Sequence, residues 1–364
     1  MKGMISADSH ITEAPGTYVD YIDKKFKDTA PRIVHDAKLG DVFVVEGFAR
    51  PLQIGLVAAA GKKPEELTLW GANFEELHRG GWDPEARMHD QDRDGIAAEV
   101  LYPSVGMTLC NHRDIDYKKA CFDAYNLWLA DFCAPHPDRL IGLGQTAMRS
   151  VEEGIEDLRK IKALGFRGVM LPGNPGVSDY DDPIYDPFFE AAIELNLPLS
   201  FHILTSNSDT LKQRGPRING FMGIIRGCQD ILGVFIFGGV FERHPKLKVI
   251  CVEADAGWVP HFMYRMDHAY KRHRYWLKPS GKLSKLPSEY FRENVYTTFQ
   301  DDWVAFRMKD MCNIKRLLWA NDFPHSDSTW PDSQELLAKH RQGLTDAEFN
   351  CVVHDNVAEL YGLN

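Results

Sequence analysis

The sequence lacks the paired cysteines of a disulfide framework or a zinc ribbon. Its seven cysteines are odd in number and widely spaced, and none belongs to a C-x-x-C pair. This pattern excludes a small disulfide-stapled fold and indicates a reducing compartment, so we expect a cytoplasmic protein. With 44% hydrophobic and 26% charged residues, the 364-residue chain has ample material for a hydrophobic core.

The sequence also lacks an excess of positive charge. It has 42 Lys and Arg against 52 Asp and Glu, a formal net charge of −10, and no run of five like charges. This balance argues against nucleic acid and anionic membranes as partners. Residues 1–7 contain no apolar segment typical of a signal peptide, so we expect no export. The most apolar stretch, residues 220–241, contains Arg226 and Asp230 and indicates a buried helix or two short elements rather than a membrane span.

No G-x-G-x-x-G motif follows the first predicted strand, and no Gly-, Ser- or Pro-rich linker divides the chain, which argues against a dinucleotide-binding fold and against separate domains. Short apolar runs instead alternate with longer amphipathic runs, a pattern typical of repeated βα units. Eight strands are predicted at residues 5–9, 98–103, 141–146, 168–171, 199–203, 248–252, 295–298 and 316–320. Helices are predicted at residues 117–134, 151–164, 187–195, 220–241, 258–272 and 302–311. Eight strands with interleaved helices predict a closed (β/α)8 TIM barrel, an α/β fold.

About 85 residues separate the first two predicted strands, far more than the roughly 2–6 residues of a βα loop. We therefore expect an insertion over about residues 14–95 that has structure of its own and covers the barrel mouth as a lid. Within it, residues 41–47 predict one arm of a hairpin and residues 84–93 predict a helix. The whole chain, residues 1–364, is then a single decorated barrel whose insertion sets substrate choice.

Four predicted strands end in side chains that bind metals or transfer protons. The first ends at Asp8 and His10, which a two-residue period places on one face, and the fifth, sixth and eighth end at His202, Glu253 and Asp322. Because the active sites of such barrels lie at the carboxyl ends of the strands, these side chains predict one divalent-metal site. A single histidine at a strand end is more often structural, but four such ends together favour ligands. The mixed N/O set suits Zn²⁺, Mn²⁺ or Fe²⁺ better than Ca²⁺ or Mg²⁺, with zinc as the first choice.

An ordered series of short segments resembles a known family. The segments are DSHITE at 8–13, GGWDPEAR at 80–87, DGIAAEVLYP at 94–103, HPKLKV at 244–249, AGWVP at 256–260, NDFPHSDSTWP at 321–331 and HDNVAELYGL at 354–363. They resemble the amidohydrolase-related branch of the amidohydrolase superfamily, the group that contains aminocarboxymuconate semialdehyde decarboxylase. The resemblance runs over most of the chain and implies a mononuclear metal site in a TIM barrel.

The resemblance also implies individual roles. His10 falls on the second histidine of the family's H-x-H motif, His202 on the strand-five ligand, and Asp322 on the strand-eight aspartate that touches the metal and handles protons. Asp8 stands in the place of the first histidine, which favours a harder ion such as Mn²⁺. Glu253 stands in the place of a strand-six histidine used near the metal as acid or base. A carboxylate has a different pKa from an imidazole, so the proton transfer that this position can perform changes. This difference favours hydrolysis over decarboxylation.

The preferred hypothesis from the sequence is a metal-dependent hydrolase. A metal held by Asp8, His10, His202 and Asp322 would lower the pKa of bound water from about 15.7 toward about 7. We expect Asp322 to accept the proton, and Glu253 to act as a second base or as proton donor to the leaving group. The expected substrate is a small, cyclic or aromatic-derived carboxylated molecule.

Cationic and aromatic residues follow the same strand ends. Arg214 and Arg217 follow strand five and are predicted to bind a substrate carboxylate, although a surface position in a polar loop is equally compatible with them. Trp258, His325 and Trp330 follow strands six and eight and are predicted to line the substrate pocket. For Trp258, core packing is an equal alternative.

Two alternatives remain open. The first is a metal-dependent nonoxidative decarboxylase of an aromatic or muconate-type acid, in which Asp322 delivers a proton to the ring carbon as CO₂ leaves. The second is a non-catalytic binding barrel. In each case the predicted partner is a small molecule, with neither nucleic acid nor membrane involved. The family resemblance and exposed aromatic residues indicate a dimer or a larger homo-oligomer.

Overall fold

An eight-stranded parallel sheet forms the centre of the computed structural model, which describes residues 3–206, 215–277 and 282–363. Within those residues the strands are β1 (Met4–His10), β2 (Arg32–Asp36), β3 (Gly40–Val44), β4 (Leu52–Gln53), β5 (Ile96–Tyr102), β6 (Leu140–Gln145), β7 (Gly168–Met170), β8 (Leu199–His202), β9 (Val249–Val252), β10 (Val295–Phe299) and β11 (Leu317–Trp319). The central sheet has the order β1-β5-β6-β7-β8-β9-β10-β11. All eight predicted barrel strands are therefore confirmed, each within two residues of its predicted bounds.

The sheet curls until its first and last strands meet. The amide of Asp322, just after β11, donates to Asp8 O at 3.0 Å, and the amide of His10 donates to Phe323 O at 2.6 Å. In the parallel register His202 lies opposite Val252. These contacts make the fold the predicted (β/α)8 barrel and bring the carboxyl ends of β1, β8, β9 and β11 to one mouth.

Helices cover the outside of the sheet. In the described residues they are α1 (Gly16–Val19), α2 (Pro84–Asp94), α3 (Val105–Leu109), α4 (Ile115–Cys133), α5 (Val151–Ala163), α6 (Asp186–Glu194), α7 (Gly220–Gly223), α8 (Arg226–Phe237), α9 (Val240–Arg243), α10 (Val259–His273), α11 (Pro287–Asn294), α12 (Trp303–Arg307), α13 (Ser333–His340), α14 (Asp346–Asn350) and α15 (Asn356–Tyr361). Local sequence fixes several ends: Asp83, Asp114 and Ser150 cap the first turns of α2, α4 and α5 through their side chains. The helix predicted over 302–311 is shorter, because after Arg307 the chain continues as a 3₁₀ turn.

The helix predicted over residues 220–241 is divided. Glycine ends it: Gly238 caps α8, and Gly239 has a φ of 72°, a left-handed conformation that few other residues adopt. Residues 217–237 form a helical stretch of 21 residues with a mean hydropathy of 1.4, which by length and composition alone could cross a membrane. Because only 33% of its apolar window is buried, the expectation of a buried helix holds for one face only.

The insertion after β1 has structure of its own. It contains a three-stranded antiparallel sheet in which β3 pairs with β2 and β4, so the predicted arm at 41–47 is the central strand of that sheet. The amides of Ala59 and Ala60 donate to Pro324 O at 2.9 and 3.0 Å, and Ser326 N donates to Leu56 O at 2.9 Å. These bonds hold the insertion against the segment that follows β11.

Candidate metal centre

The four strand ends predicted to form one site do meet. His10 Nε2 and His202 Nε2 lie 3.2 Å apart. Around them, Asp8 Oδ1 and Asp322 Oδ1 each lie 3.4 Å from His10 Nε2, and Glu253 Oε2 lies 3.0 Å from His202 Nε2. Ligand atoms of Asp8, His10, His202 and Glu253 all lie within 4.8 Å of one another. The arrangement has the size and the donor types of a single-ion site.

The hydrogen bonds made by Nδ1 of His10 and His202 determine the tautomer of each ring and so the role of each Nε2. His10 Nδ1 lies 2.9 Å from Pro103 O, and His202 Nδ1 lies 3.0 Å from Ile203 O. A carbonyl oxygen only accepts, so each Nδ1 carries the hydrogen, and each Nε2 of the neutral ring presents a lone pair to the other. Two lone pairs at 3.2 Å repel unless a proton or a cation lies between them. Such carbonyl partners orient metal-binding histidines generally.

Unpartnered carboxylate oxygens also support a cation site between these residues. Both oxygens of Asp8, both oxygens of Asp322 and Oε2 of Glu253 are buried without a hydrogen-bond donor in the described part of the chain. Buried carboxylate oxygens without a partner carry a desolvation penalty that a divalent cation removes. The residues therefore fit a divalent ion. Glu253, predicted only as an acid or base, supplies one of these ligand-type atoms.

The buried charges shift the pKa values of Glu253 and Asp322 in opposite directions. Burial opposes ionisation of Glu253, but His202 and His10 outweigh it and hold the pKa of that carboxyl below its usual value. Burial likewise opposes protonation of His202, but Glu253 and Asp8 raise its pKa well above the usual range. For Asp322, burial and then the charges of Glu253 and Asp8 raise the pKa well above normal. Without a metal, these neighbours therefore favour the ionised form of Glu253 and the protonated form of Asp322.

Hydrogen bonds through Ser104 orient the His325 ring that lies beside Asp322. Ser104 Oγ donates to Ile11 O at 2.7 Å, so it accepts the second bond it makes, from His325 Nε2 at 2.9 Å. Burial and neighbouring His10 hold the pKa of His325 well below normal, so the ring is neutral and its Nδ1 has a lone pair. That nitrogen lies 3.0 Å from Asp322 Oδ1. Asp322 Oδ1 makes no hydrogen bond within the described residues, so the neutral His325 ring lies beside the carboxyl as a close neighbour.

The backbone at both carboxylates is left-handed. The φ angle is 53° at Asp322 and 57° at Glu253, a region that costs a non-glycine residue about 1–3 kcal/mol. Glu253 N donates to Thr298 Oγ1 at 2.8 Å, which holds its peptide in place. The left-handed turns at Glu253 and at Asp322 direct the two side chains toward His10 and His202. Strain of this kind is concentrated at functional sites.

A buried ion pair behind the site escaped the sequence analysis. Arg87, fully buried in α2, binds Glu99 Oε2 at 2.6 Å and donates to His10 O at 2.7 Å and to Phe323 O at 3.2 Å. One guanidinium thus joins β1, β5 and the segment after β11. The GGWDPEAR segment contained the signal, because Arg87 is its last residue, but spacing alone did not indicate a partner 12 residues away.

The predicted pocket residues Trp258 and His325 have different surroundings. Trp258 is half-buried between α10 and α11, in edge contact with Phe262 and Phe291. Its indole N–H donates to Ala254 O at 2.7 Å, so the ring braces the turn that follows Glu253. His325, by contrast, stacks on His10 with ring centroids 3.8 Å apart and belongs to the site.

Trp330 packs on Ala60 and Phe323 and donates to Asp90 O at 3.1 Å, on the outer side toward α2. Arg217 is exposed in the turn before α7, and Arg214 lies outside the described residues. The structure thus brings together Asp8, His10, His202, Glu253, Asp322 and His325 but not the two tryptophans or Arg217.

Comparisons with known proteins agree with this geometry. A family model described as amidohydrolase matches residues 48–363. The 2-amino-3-carboxymuconate-6-semialdehyde decarboxylase of Dictyostelium discoideum is 30% identical over 215 residues, or 56% of this chain and 56% of that protein. The gamma-resorcylate decarboxylase of Rhizobium sp. is 24% identical over 329 residues, or 83% of this chain and 94% of that protein.

A solved structure shares the whole fold. The 5-carboxyvanillate decarboxylase of Novosphingobium aromaticivorans, in a variant with bound manganese and a nitrobenzoic acid, superposes with a TM-score of 0.70 at 19% identity. The match covers 99% of this chain and 97% of that one. At this identity the likeness establishes the barrel architecture.

Proposed function

The chain belongs to the amidohydrolase family, and from that premise we propose that it is a metal-dependent nonoxidative decarboxylase of a carboxylated aromatic or muconate-type acid. The carboxyl of Asp322 carries the proposal, because it lies 3.4 Å from His10 Nε2 in the cluster of ligand atoms and burial raises its pKa. Decarboxylation needs an acid at this position, whereas hydrolysis, the first hypothesis from the sequence, needs Asp322 as a base. The decarboxylase names of two curated relatives support the same choice.

Asp8, His10 and His202 would hold one divalent ion, with Glu253 Oε2 and Asp322 Oδ1 both within reach of a further position. When bound, the ion supplies positive charge that attracts the substrate carboxylate and stabilises charge that develops on it. The carboxylate-rich donor set and the manganese of the solved neighbour support Mn²⁺ over the zinc first predicted.

Asp322 acts as the proton donor of the reaction. Its proton passes to the ring carbon that carries the carboxylate, and the bond from that carbon to CO₂ then breaks and returns its electron pair to the ring. One proton enters the product and one CO₂ leaves, so atoms and charge balance. Asp322 regains its proton from solvent, beside the neutral His325 ring whose Nδ1 lies 3.0 Å from Oδ1.

Incubation of the manganese-loaded enzyme with 2,6-dihydroxybenzoate or 5-carboxyvanillate tests the proposal. We expect CO₂ in the headspace and a product that contains no oxygen from ¹⁸O-labelled water. Asp322→Asn serves as the matched inactive control, because it keeps the side-chain shape and removes the acid. Label from water in the product, without CO₂, would establish hydrolysis instead.

A further inference from the structure

Glu13, the last residue of the DSHITE segment, is a buried side chain that lies outside the cluster of ligand atoms. It is 1% exposed, and burial raises the pKa of its carboxyl group. Its Oε1 accepts hydrogen bonds from the backbone amides of Ser104 and Gly106 at 3.1 and 3.0 Å. The Tyr18 hydroxyl donates to the same oxygen at 3.4 Å, whereas Oε2 has no partner among the described residues. Because a buried carboxyl group is costly unless hydrogen bonds compensate for the lost water, these bonds to one short segment account for its place here.

The segment that accepts this support is the turn over residues 103–106, between β5 and α3. Two of its atoms orient rings of the candidate site. Pro103 O accepts from His10 Nδ1 at 2.9 Å, and Ser104 Oγ accepts from His325 Nε2 at 2.9 Å. The two rings stack on each other with centroids 3.8 Å apart. A shift of this turn would therefore change the direction of both rings.

Gly106 is held on both of its sides. Its amide donates to Glu13, and its carbonyl oxygen accepts from Gln145 Nε2 at 3.1 Å. The fit is close, because an added Cβ at Gly106 would lie 2.4 Å from Gln145 Oε1 and 2.6 Å from Cβ of Pro103. Without the Glu13 oxygen, the amides of Ser104 and Gly106, both buried residues, would lack an acceptor. Since buried amides are rarely left unpaired, we expect the turn to shift toward water or another acceptor.

We propose that Glu13 is a positioning residue of the site, which fixes the rings of His10 and His325 through the turn between β5 and α3. Both of its backbone bonds reach one oxygen, so the acceptor and not the charge is the feature that matters. The inference rests on the proposed function only for its effect on turnover. The metal affinity that depends on His10 and the ring hydrogen bond of His325 are measured without substrate.

Calorimetric titration of the full chain with Mn²⁺ tests the effect on His10. We expect Glu13→Met to weaken Mn²⁺ binding about 10–100-fold, the usual cost of removing a residue that orients a ligand. Glu13→Gln keeps an acceptor oxygen of the same reach and should bind Mn²⁺ nearly as the wild type does. Asn294→Leu is the matched control, because this buried side chain also makes two backbone bonds, to Pro245 O and Leu247 O, but at the amino end of β10. It should leave the affinity unchanged.

Nuclear magnetic resonance of ¹⁵N-labelled histidine side chains in the metal-free protein tests the effect on His325. We expect one slowly exchanging Nε2–H signal that His325→Leu removes, because that proton is bonded to Ser104 Oγ. Glu13→Met should lose this signal. Glu13→Gln and Asn294→Leu should keep it.

Circular dichroism shows whether each variant folds. If Glu13→Met does not, Glu13→Asp carries the same test, because its carboxyl group is shorter in reach by one methylene group. Wild-type Mn²⁺ affinity and an intact ring signal in the folded variant would overturn the proposal. So would equal losses in Glu13→Gln and Glu13→Met, or an equal loss in Asn294→Leu. Absence of CO₂ release by a wild type that binds Mn²⁺ would instead overturn the proposed reaction alone.

Discussion

At the scale of single residues, the proposed reaction gives Asp322 and His202 separable roles. Asp322 would donate the proton, whereas His202 would present a lone pair to the ion. Asp322→Asn should lower kcat about 10²–10⁴-fold while most of the metal remains bound. His202→Ala should lose the metal itself. Metal content by mass spectrometry, measured beside activity, checks both expectations, and equal activity in the two variants would contradict the assignment.

We expect His325 to influence the pH at which Asp322 gives up its proton. A neutral ring whose Nδ1 lone pair lies 3.0 Å from Asp322 Oδ1 favours the protonated acid, so its removal in His325→Leu should lower the pKa of Asp322. The activity, which in the proposed reaction requires protonated Asp322, should then begin to fall at a lower pH than in the wild type. We expect the basic limb of kcat/KM to move down by about 0.5–1 pH unit, which corresponds to about 0.7–1.4 kcal/mol. His136→Gln, on a half-buried histidine paired with exposed Glu85, should leave the profile unchanged. An unchanged profile in His325→Leu would exclude the role.

At the scale of elements, Arg87 holds the barrel closed. It joins α2 to Glu99 of β5, to His10 of β1 and to Phe323 after β11 while fully buried. Arg87→Met leaves Glu99 as an unpaired buried charge and should cost about 3–5 kcal/mol of unfolding free energy. Arg79→Met breaks an exposed pair with Asp83 and should cost at most about 1 kcal/mol. Urea unfolding measures both, and similar losses would contradict the role of Arg87.

The sequence predicts the barrel strands well but not the long-range contacts between elements, for physical reasons. Barrel strands such as β9, buried on both sides, are continuous apolar runs that the sequence shows directly. Their polar ends revealed Asp8, His202 and Asp322. Ser104, which orients His325, was missed because its partners lie 93 and 221 residues away in the chain.

Trp258 and Trp330 follow strand ends closely, but the path of the turn decides where a ring points. Trp258 packs on Phe291 and Trp330 on Ala60 and Phe323, and their place in the substrate pocket stays a prediction. The left-handed backbone at Glu253 and Asp322 was equally unpredictable, because neither residue is glycine. The lid role of the insertion stays a prediction.

At the scale of the whole molecule, metal binding should depend on pH. Protonated His202, whose pKa is raised in the absence of metal, must lose its proton before the ion binds. Affinity for Mn²⁺ should therefore weaken as the pH falls through that raised pKa, and binding at lower pH should release protons. Calorimetry in two buffers of different ionisation enthalpy measures the release. Identical heats in both buffers would contradict it.

Bound metal should also stabilise the entire barrel, because its ligands come from three or more strands. A concentration of 100 times the dissociation constant adds about 2.7 kcal/mol to the unfolding free energy. Thermal unfolding with Mn²⁺ should show a higher Tm for the wild type and no change for His202→Ala. A rise of equal size in the variant would place the ion elsewhere.

Proton delivery to carbon by Asp322 is most directly tested by turnover in D₂O with 2,6-dihydroxybenzoate or 5-carboxyvanillate. We expect one deuterium per product molecule, bonded to the carbon that lost CO₂, and product formation by Asp322→Asn that is slower by about 10²–10⁴-fold. A product without deuterium at that carbon, or a fully active Asp322→Asn enzyme, would contradict the proposed reaction.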